Sequence, residues 1–240
     1  MTPVVMTNGE PDMRRSFHEQ LEDLKADVIR LGGMTVELIS GATLALLDGD
    51  LAVAKQTIQN DEPIDDLTHG VEDSCFSLLA RQQPMAGDLR TILATLRIVH
   101  ELERSADLSV NIAKATRRLY PTALDPKVRG IIDQMGRQAA NQTRLALDAY
   151  ADKDPTWASA LADMDDAMDE LTKSLFRYIL SLAPADEAAV QQAAQIALVA
   201  RHFERIADHA VTIAERVVFM ATGEYPMSDA DRPEVAGDTL

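Results

Sequence analysis

The sequence predicts an all-α protein. Three observations carry that prediction: its composition, the spacing of its helix breakers, and an internal repeat. Aromatic residues make up only 4% of the 240 residues, while Ala, Leu, Ile, Val and Met dominate the 46% that is hydrophobic. Strong helix formers are therefore plentiful, and the β-branched and aromatic mix that suits strands is thin. The length allows one large domain or two small ones, either able to bury a sizeable core.

Read in order, the breakers divide the chain into six helices. The first is expected over roughly 15–47, after a loose leader in which Met13 is an alternative start. "DGD" at 48–50 ends it, and Asp50 can cap the next helix, expected to run to about Arg81. Pro63 falls inside that helix, where it removes a backbone donor and introduces a bend. Because Ala167 occupies the matching place later in the chain, a continuous bent helix is expected here, with a new helix capped by Asp61 as the alternative. "QQPMAGD" at 82–88 is a turn, and a third helix follows to Leu119. "YPTALDP" at 120–126 separates two halves. A fourth helix runs to Tyr150, and Asp154 before Pro155 is the expected cap of a fifth, which reaches Leu182. "APAD" at 183–186 turns into a sixth, with Gly223 as its stop.

The halves match. Asp50, Asp61, Asp65, Leu67 and Thr68 fall on Asp154, Asp165, Asp169, Leu171 and Thr172 at a shift of 104. In the last helices a shift of 101 puts Glu103, Arg104, Asp107 and Ile112 on Glu204, Arg205, Asp208 and Ile213. The repeat means two copies of one supersecondary unit, each of three long helices with short connections, which favours antiparallel neighbours in a bundle. The expected organisation is a flexible leader at 1–14, a first bundle at 15–120, a second at 121–224 and a disordered polar tail at 225–240.

Charge and cysteine usage exclude several classes. A formal net charge of −16 argues against sequence-independent nucleic-acid binding and against docking on anionic lipid. It suits cations or basic partner surfaces, and by itself is explained by solubility. Cys75 is the single cysteine, so neither an intramolecular disulfide nor a multi-thiolate zinc site can form, and a reducing compartment is expected. No run of about 18 uncharged apolar residues is present, so no spanning helix is expected, and the first residues lack the pattern of a secretory signal.

The chemistry lies in paired acids. Positions four apart on a helix differ by about 40° and share a face. On the third helix Glu103 and Asp107 fall within about 60° of Leu96, inside the arc that also holds Ile92, Val99 and Val110. Glu204 and Asp208 share the arc of Ala197, Ala200 and Val211, and Asp165 and Asp169 lie among Leu161, Met168 and Phe176. Asp61 and Asp65 share a stripe with Thr57 and Cys75, which Glu72 joins. Each half therefore offers two acid-x-x-x-acid pairs that antiparallel neighbours would bring together. Like charges that close repel, and burial adds several kcal/mol. An arginine, protonation or a metal cation can compensate. Arg104 and Arg205 flank the acids as supporting residues, and an all-oxygen donor set suits Mg, Mn, Ca or Fe. A single such pair is better explained as a structural ion pair at an open seam; four at repeat-related positions favour a metal.

With these features together, the chain resembles the PhoU family of phosphate-signalling regulators. The resemblance spans roughly 13–222 and rests on "NDEPIDDL" at 60–67, "QPMAGDLR" at 83–90, "LERSADLSVNIA" at 102–113, "DMDDAMDEL" at 163–171 and "FERIADHAVTIAE" at 203–215. It implies two antiparallel three-helix bundles related by pseudo-twofold symmetry. It also implies metal ions, iron first with Mg, Mn or Zn as alternatives, held by Asp61, Asp65, Glu103 and Asp107 in one half and Asp165, Asp169, Glu204 and Asp208 in the other. The implied role is that of a cytoplasmic, non-enzymatic negative regulator. Such a protein links the ATPase subunit of a phosphate ABC transporter to a sensor histidine kinase, commonly as a homodimer. Two features depart from the family pattern: Ser105 and Ala106 stand where a branched residue and Gly are frequent, and "AVQ" at 189–191 stands opposite "DLR" at 88–90.

Other classes find less support. A ferritin-like di-iron oxidase needs Glu-x-x-His on two helices, and the histidines, His18, His69, His100, His202 and His209, supply none. His100 lies near the acidic stripe, as a structural histidine or a ligand. His209 points about 100° away from Asp208 and is expected at the surface. A histidine phosphotransfer module and a metal-free helical adaptor are the remaining alternatives. The sequence has no P-loop and no nucleophile elbow, so no enzymatic activity is expected.

Overall fold

The sequence breakers become helix ends in the computed structural model, which describes residues 10–182 and 186–224. The elements are α1 (Glu10–Asp48), α2 (Leu51–Gln59), α3 (Glu62–Gln82), α4 (Gly87–Leu119), α5 (Pro126–Asp152), α6 (Trp157–Ser181) and α7 (Glu187–Thr222). The fold is all-α, with no strand among the described residues. Helix α1 begins before the expected boundary, so part of the stretch assigned to the leader is helical. The first nine residues, 183–185 and the tail from 225 lie outside the described residues.

Local chemistry explains most ends. The Asp50 carboxylate accepts hydrogen bonds from the Ala52 and Val53 amides at 2.8 and 3.0 Å, satisfying donors that have no partner within α2. Asp125 does the same for Lys127 and Val128, with Pro126 opening α5. Gly223 takes the left-handed conformation that ends α7, at φ +85°. Asp154 departs from expectation. It accepts from the amide and hydroxyl of Thr156 at 2.9 and 2.7 Å, shaping the turn, and α6 starts only at Trp157.

The helix expected from Asp50 to Arg81 is two helices. Asp61 keeps helical dihedrals, φ −74° and ψ −44°, but Asn60 departs from them with ψ near 1°, Pro63 cannot donate to the ladder, and the chain restarts as α3. Asp61 occupies the cap position of α3, yet its carboxylate makes no capping hydrogen bond. It is left available to the seam between α3 and α4.

Helices α1, α2, α3 and α4 form one bundle, with α2 and α3 together filling the place of one helix; α5, α6 and α7 form the other. The start of α5, the end of α6 and the start of α7 surround one cavity of about 360 Å3, so α6 runs antiparallel to its neighbours. The bundles join through α1, α4, α5 and α7, which share one continuous core holding Leu31 and Ile39, Ile98 and Leu102, Ile132 and Met135, and Phe203 and Ile206. Truncating a fully buried side chain such as Phe203 would cost about 3–5 kcal/mol.

The seam between α1 and α5 displays the twofold relation in side chains. A Cβ on Gly32 would strike the Leu147 side chain, and one on Gly136 would strike Thr43. Residues 32 and 136, and 43 and 147, are each 104 apart. The two glycines thus admit repeat-related neighbours and let two long helices approach closely. By length and composition α1 could cross a membrane, contrary to the expectation from apolar runs, but more than half of its most apolar stretch is buried within the protein. Its apolarity serves the core, where it meets α2, α3, α4 and α5.

Candidate metal centres

The restart of α3 places Asp61 beside α4. Burial pushes its carboxyl up to about 6, and the charges of Asp65, Asp107 and Glu103 add to this, while Lys114 opposes it. The four acids assigned to the first half are therefore electrostatic neighbours. In the second half Asp165 and Asp169 stand on uninterrupted α6, and Glu204 and Asp208 on α7. Burial again pushes Asp165 up to about 6, reinforced by Asp208, Asp169, Asp166 and Glu204. Glu204 and Asp208 are themselves raised, first by burial and then by Asp169, with Arg201 acting against both. All eight predicted residues thus fall into two groups of four.

Their depth differs from the helical-angle expectation. Asp61, Glu103, Asp165, Asp169 and Glu204 are half-buried, and Asp65, Asp107 and Asp208 are exposed. The acids line the solvent-side rim of each seam, while Ile64 and Met168 fill its interior. A helical wheel places residues around one axis but does not say how far the neighbouring helix reaches. One atom is an exception to the open setting: Asp165 Oδ1 is buried and has no hydrogen-bond partner.

The expected supporting arginines are not the main counter-charges. Arg104 Nη1 lies 3.7 Å from Glu101, and Arg205 acts on Asp208 by charge alone, lowering its carboxyl against the effect of burial. The direct partners are three residues upstream of each glutamate. His100 Nδ1 is 3.4 Å from Glu103 Oε2, and Arg201 contacts Glu204. These are i,i+3 pairs, a spacing visible in the sequence.

His209 is a second correction. It is buried, not at the surface, because α7 is covered by α4 as well as by α5 and α6. Its Nδ1 is 3.0 Å from Ser105 Oγ and its Nε2 3.7 Å from Glu101. The Ser105 hydroxyl donates to the Glu101 carbonyl, so the imidazole N–H must be the donor to Ser105. Burial, with Arg104 and Arg205 adding to it, lowers His209 to about 4. This polar contact belongs to the α4–α7 seam. His69 Nδ1 lies 2.7 Å from the Asp65 carbonyl oxygen, a contact within the first turns of α3.

As placed, no three His, Cys, Asp or Glu side chains among the described residues converge closely enough to hold one ion. The donor chemistry nevertheless fits a hard cation: each group offers four carboxylates, and burial and neighbouring charges oppose ionisation of one acid in the first group and three in the second. The unpartnered Asp165 oxygen fits the same reading.

The PhoU domain family model matches residues 28–116 and 132–217, the two repeats. This chain belongs to the PhoU family. A relative in Mycobacterium tuberculosis, "Phosphate-specific transport system accessory protein PhoU homolog 2", is 38% identical over 89% of this chain and 100% of its own length. A "Phosphate-specific transport system accessory protein PhoU homolog" of Rhizobium meliloti is 30% identical over 92% of this chain and 93% of its own. The crystal structure of PhoU from Pseudomonas aeruginosa superimposes with a TM-score of 0.82 at 30% identity, covering 87% of this chain and all of that one. The two groups of acids fall inside the two segments that the PhoU model matches, one group per segment.

Proposed function

We propose that the chain is a cation-binding, non-catalytic accessory protein that restrains phosphate uptake and phosphate-starvation signalling. Family membership and the names of its relatives support the general role in phosphate transport. The observation that carries cation binding is the duplicated acidic group, in which Asp61 and Asp165 are each pushed up to about 6. A group of carboxylates that resists ionisation without a counter-charge gains most from a cation.

Asp61, Asp65, Glu103 and Asp107 would hold one cation site, and Asp165, Asp169, Glu204 and Asp208 the other. A bound cation would supply positive charge that draws the rim acids together. Iron is the first expectation from the family resemblance, with Mg, Mn or Zn as alternatives. In this reading the loaded bundles form a stiff docking body in the cytoplasm, shared between the transporter ATPase subunit and a sensor histidine kinase and used as a homodimer.

Elemental analysis of protein purified without chelator and supplied with Fe, Mn, Mg and Zn tests the cation. Bound metal is expected in the wild type and not in a Glu103→Ala/Glu204→Ala variant; a metal-free wild type defeats the reading. Deleting the gene should release phosphate-responsive transcription in high phosphate, and unchanged repression counts against the regulatory role. The pairs Arg201–Glu204 and His100–Glu103 favour a second reading, a metal-free helical adaptor whose acids are satisfied by ion pairs. The same elemental analysis separates the two.

A further inference from the structure

Buried threonines in these helices normally satisfy their hydroxyls on the preceding turn. Thr35, Thr43, Thr57 and Thr143 each donate to the carbonyl four residues back, at 3.0, 2.7, 2.9 and 2.9 Å. Thr68 and Thr172 do not. Both are more than nine-tenths buried, at 3% and 8% exposed, and the Oγ1 of each has no hydrogen-bond partner. Leaving such a hydroxyl unpaired costs about 1–3 kcal/mol. The two are repeat mates, 104 apart. Thr116 is also unpaired, but Val217 stands at its repeat position, so its case is local.

The orphan pair lies where the acids are. Thr68 follows Asp61 by seven residues and Asp65 by three, and Thr172 stands in the same relation to Asp165 and Asp169. Seven residues return a helix to within about 20° of the same stripe, and three advance it by about 4.5 Å. Side chains on a helix lean toward its N-terminus, so a threonine at i+3 covers the turn that carries the acid at i. Each hydroxyl therefore forms the inner end of an acidic stripe whose outer end opens to solvent.

Resting on the cation-binding reading above, we propose that Thr68 and Thr172 are positioning residues of the two cation sites. The hydroxyl of each donates to the carboxylate of Asp65 or Asp169 once a cation draws that carboxylate inward. A carboxylate with one oxygen on a cation and the other on a fixed donor is held in one orientation, which is how outer partners raise the affinity of metal ligands. The hydroxyl is neutral, so it orients the acid without competing with the cation for charge.

The test is Mn(II) titration calorimetry on the full chain after chelator dialysis, with a melt of the metal-free protein alongside. Thr68→Val/Thr172→Val keeps the shape and removes the donors; Thr68→Ser/Thr172→Ser keeps the donors. The valine variant is expected to bind Mn(II) about tenfold more weakly at unchanged stoichiometry, with the serine variant within about twofold of wild type. The metal-free valine variant is expected to melt no lower than wild type, since no bond is lost. Unchanged Mn(II) affinity in the valine variant overturns the proposal. So does equal weakening by serine and valine, or a metal-free valine variant that melts lower or fails to fold. A wild type that takes up no Mn(II), Fe, Mg or Zn overturns the cation reading itself and this proposal with it, an outcome distinct from a wild type that binds and a valine variant that binds equally well.

Discussion

The two acidic groups share donor types and differ in what holds them. In the first half Asp61 hangs at the junction of two helices, with Pro63 inside the pair and Lys114 easing its charge. In the second half Asp165 stands within an unbroken helix, with Asp166 adding to its burden. The counter-group of Glu103 is His100, that of Glu204 is Arg201. A guanidinium offers a planar fork of donors that matches a carboxylate, and an imidazole offers a single ring nitrogen to it. The first site thus lies at a helix break and is paired with an imidazole, the second on an unbroken helix and paired with a guanidinium. Duplication preserved the acids and let their surroundings diverge.

The largest effect should come from removing one group of acids at a time. Asp165→Ala/Asp208→Ala should abolish cation binding in the second half and leave the first intact, and Asp61→Ala/Asp107→Ala should do the reverse. Metal per chain by elemental analysis reads both, and loss of all metal from either variant would mean that the halves form one site.

Next in size is a difference in packing. Thr43 is branched at Cβ and its hydroxyl is held at 2.7 Å by the Ile39 carbonyl, whereas Leu147 meets Gly32 with its Cγ and both Cδ methyls, beyond a Cβ that is free to rotate. Gly136→Ala should therefore destabilise by about 1–3 kcal/mol in urea titrations, while Gly32→Ala costs less because the Leu147 side chain can turn aside. Equal costs would show that the α1–α5 seam is symmetric in energy as well as in position.

A smaller effect is the pH dependence of the metal-free protein. Asp61 and Asp165 rise from 3.8 to about 6 on folding. Above pH 6 both are charged in folded and unfolded chains, and the folded state bears the repulsion. As pH falls through 6 these two groups take up protons in the folded state that the unfolded state does not take until about 3.8, so their contribution to stability rises across that window. After discounting for solvent screening the gain is about 1 kcal/mol, or about 2–4 °C in melting temperature. Asp61→Asn/Asp165→Asn should remove this contribution and raise the melting temperature at pH 7.5. Because His209, held at about 4, opposes it as pH falls, the readout is the difference between variant and wild type, and a variant advantage that does not shrink between pH 7.5 and pH 5 would contradict the assignment.

The smallest effect concerns the counter-groups. Arg201→Gln should tighten cation binding in the second half severalfold, about 1 kcal/mol or less for an exposed pair. His100→Gln should change binding by less, because the His100–Glu103 pair is a long one at 3.4 Å, whereas Arg201 contacts Glu204 directly. Equal effects of the two substitutions would remove the proposed difference between the sites.

Much of this was legible in the residues. Asp50 and Gly223 mark their helix ends, the repeat pairs all eight acids, and the acids of each group are electrostatic neighbours without converging on one point. Pro63 announced the break at Asn60 and Asp61, but the intact counterpart at Ala167 argued for continuity, and the missing backbone donor prevailed. His100, already placed near the acidic stripe, and Arg201 stand at readable i,i+3 spacing from the glutamates, while the expected Arg104 and Arg205 are adjacent in sequence and make no direct contact with them. His209 had no such signal. An angular reading assigns each helix one buried face, whereas α7 packs against α4, α5 and α6.

The sequence by itself determined the class, the repeat, the caps and the grouping of acids, because these follow from local chain chemistry and helical phase. Only the tertiary structure decided depth: which acids reach solvent, that His209 is enclosed, and that Thr68 and Thr172 keep unpaired hydroxyls at the inner ends of the acidic stripes. Depth depends on how many neighbours cover a helix and how closely they approach, and no single stretch of chain carries that information.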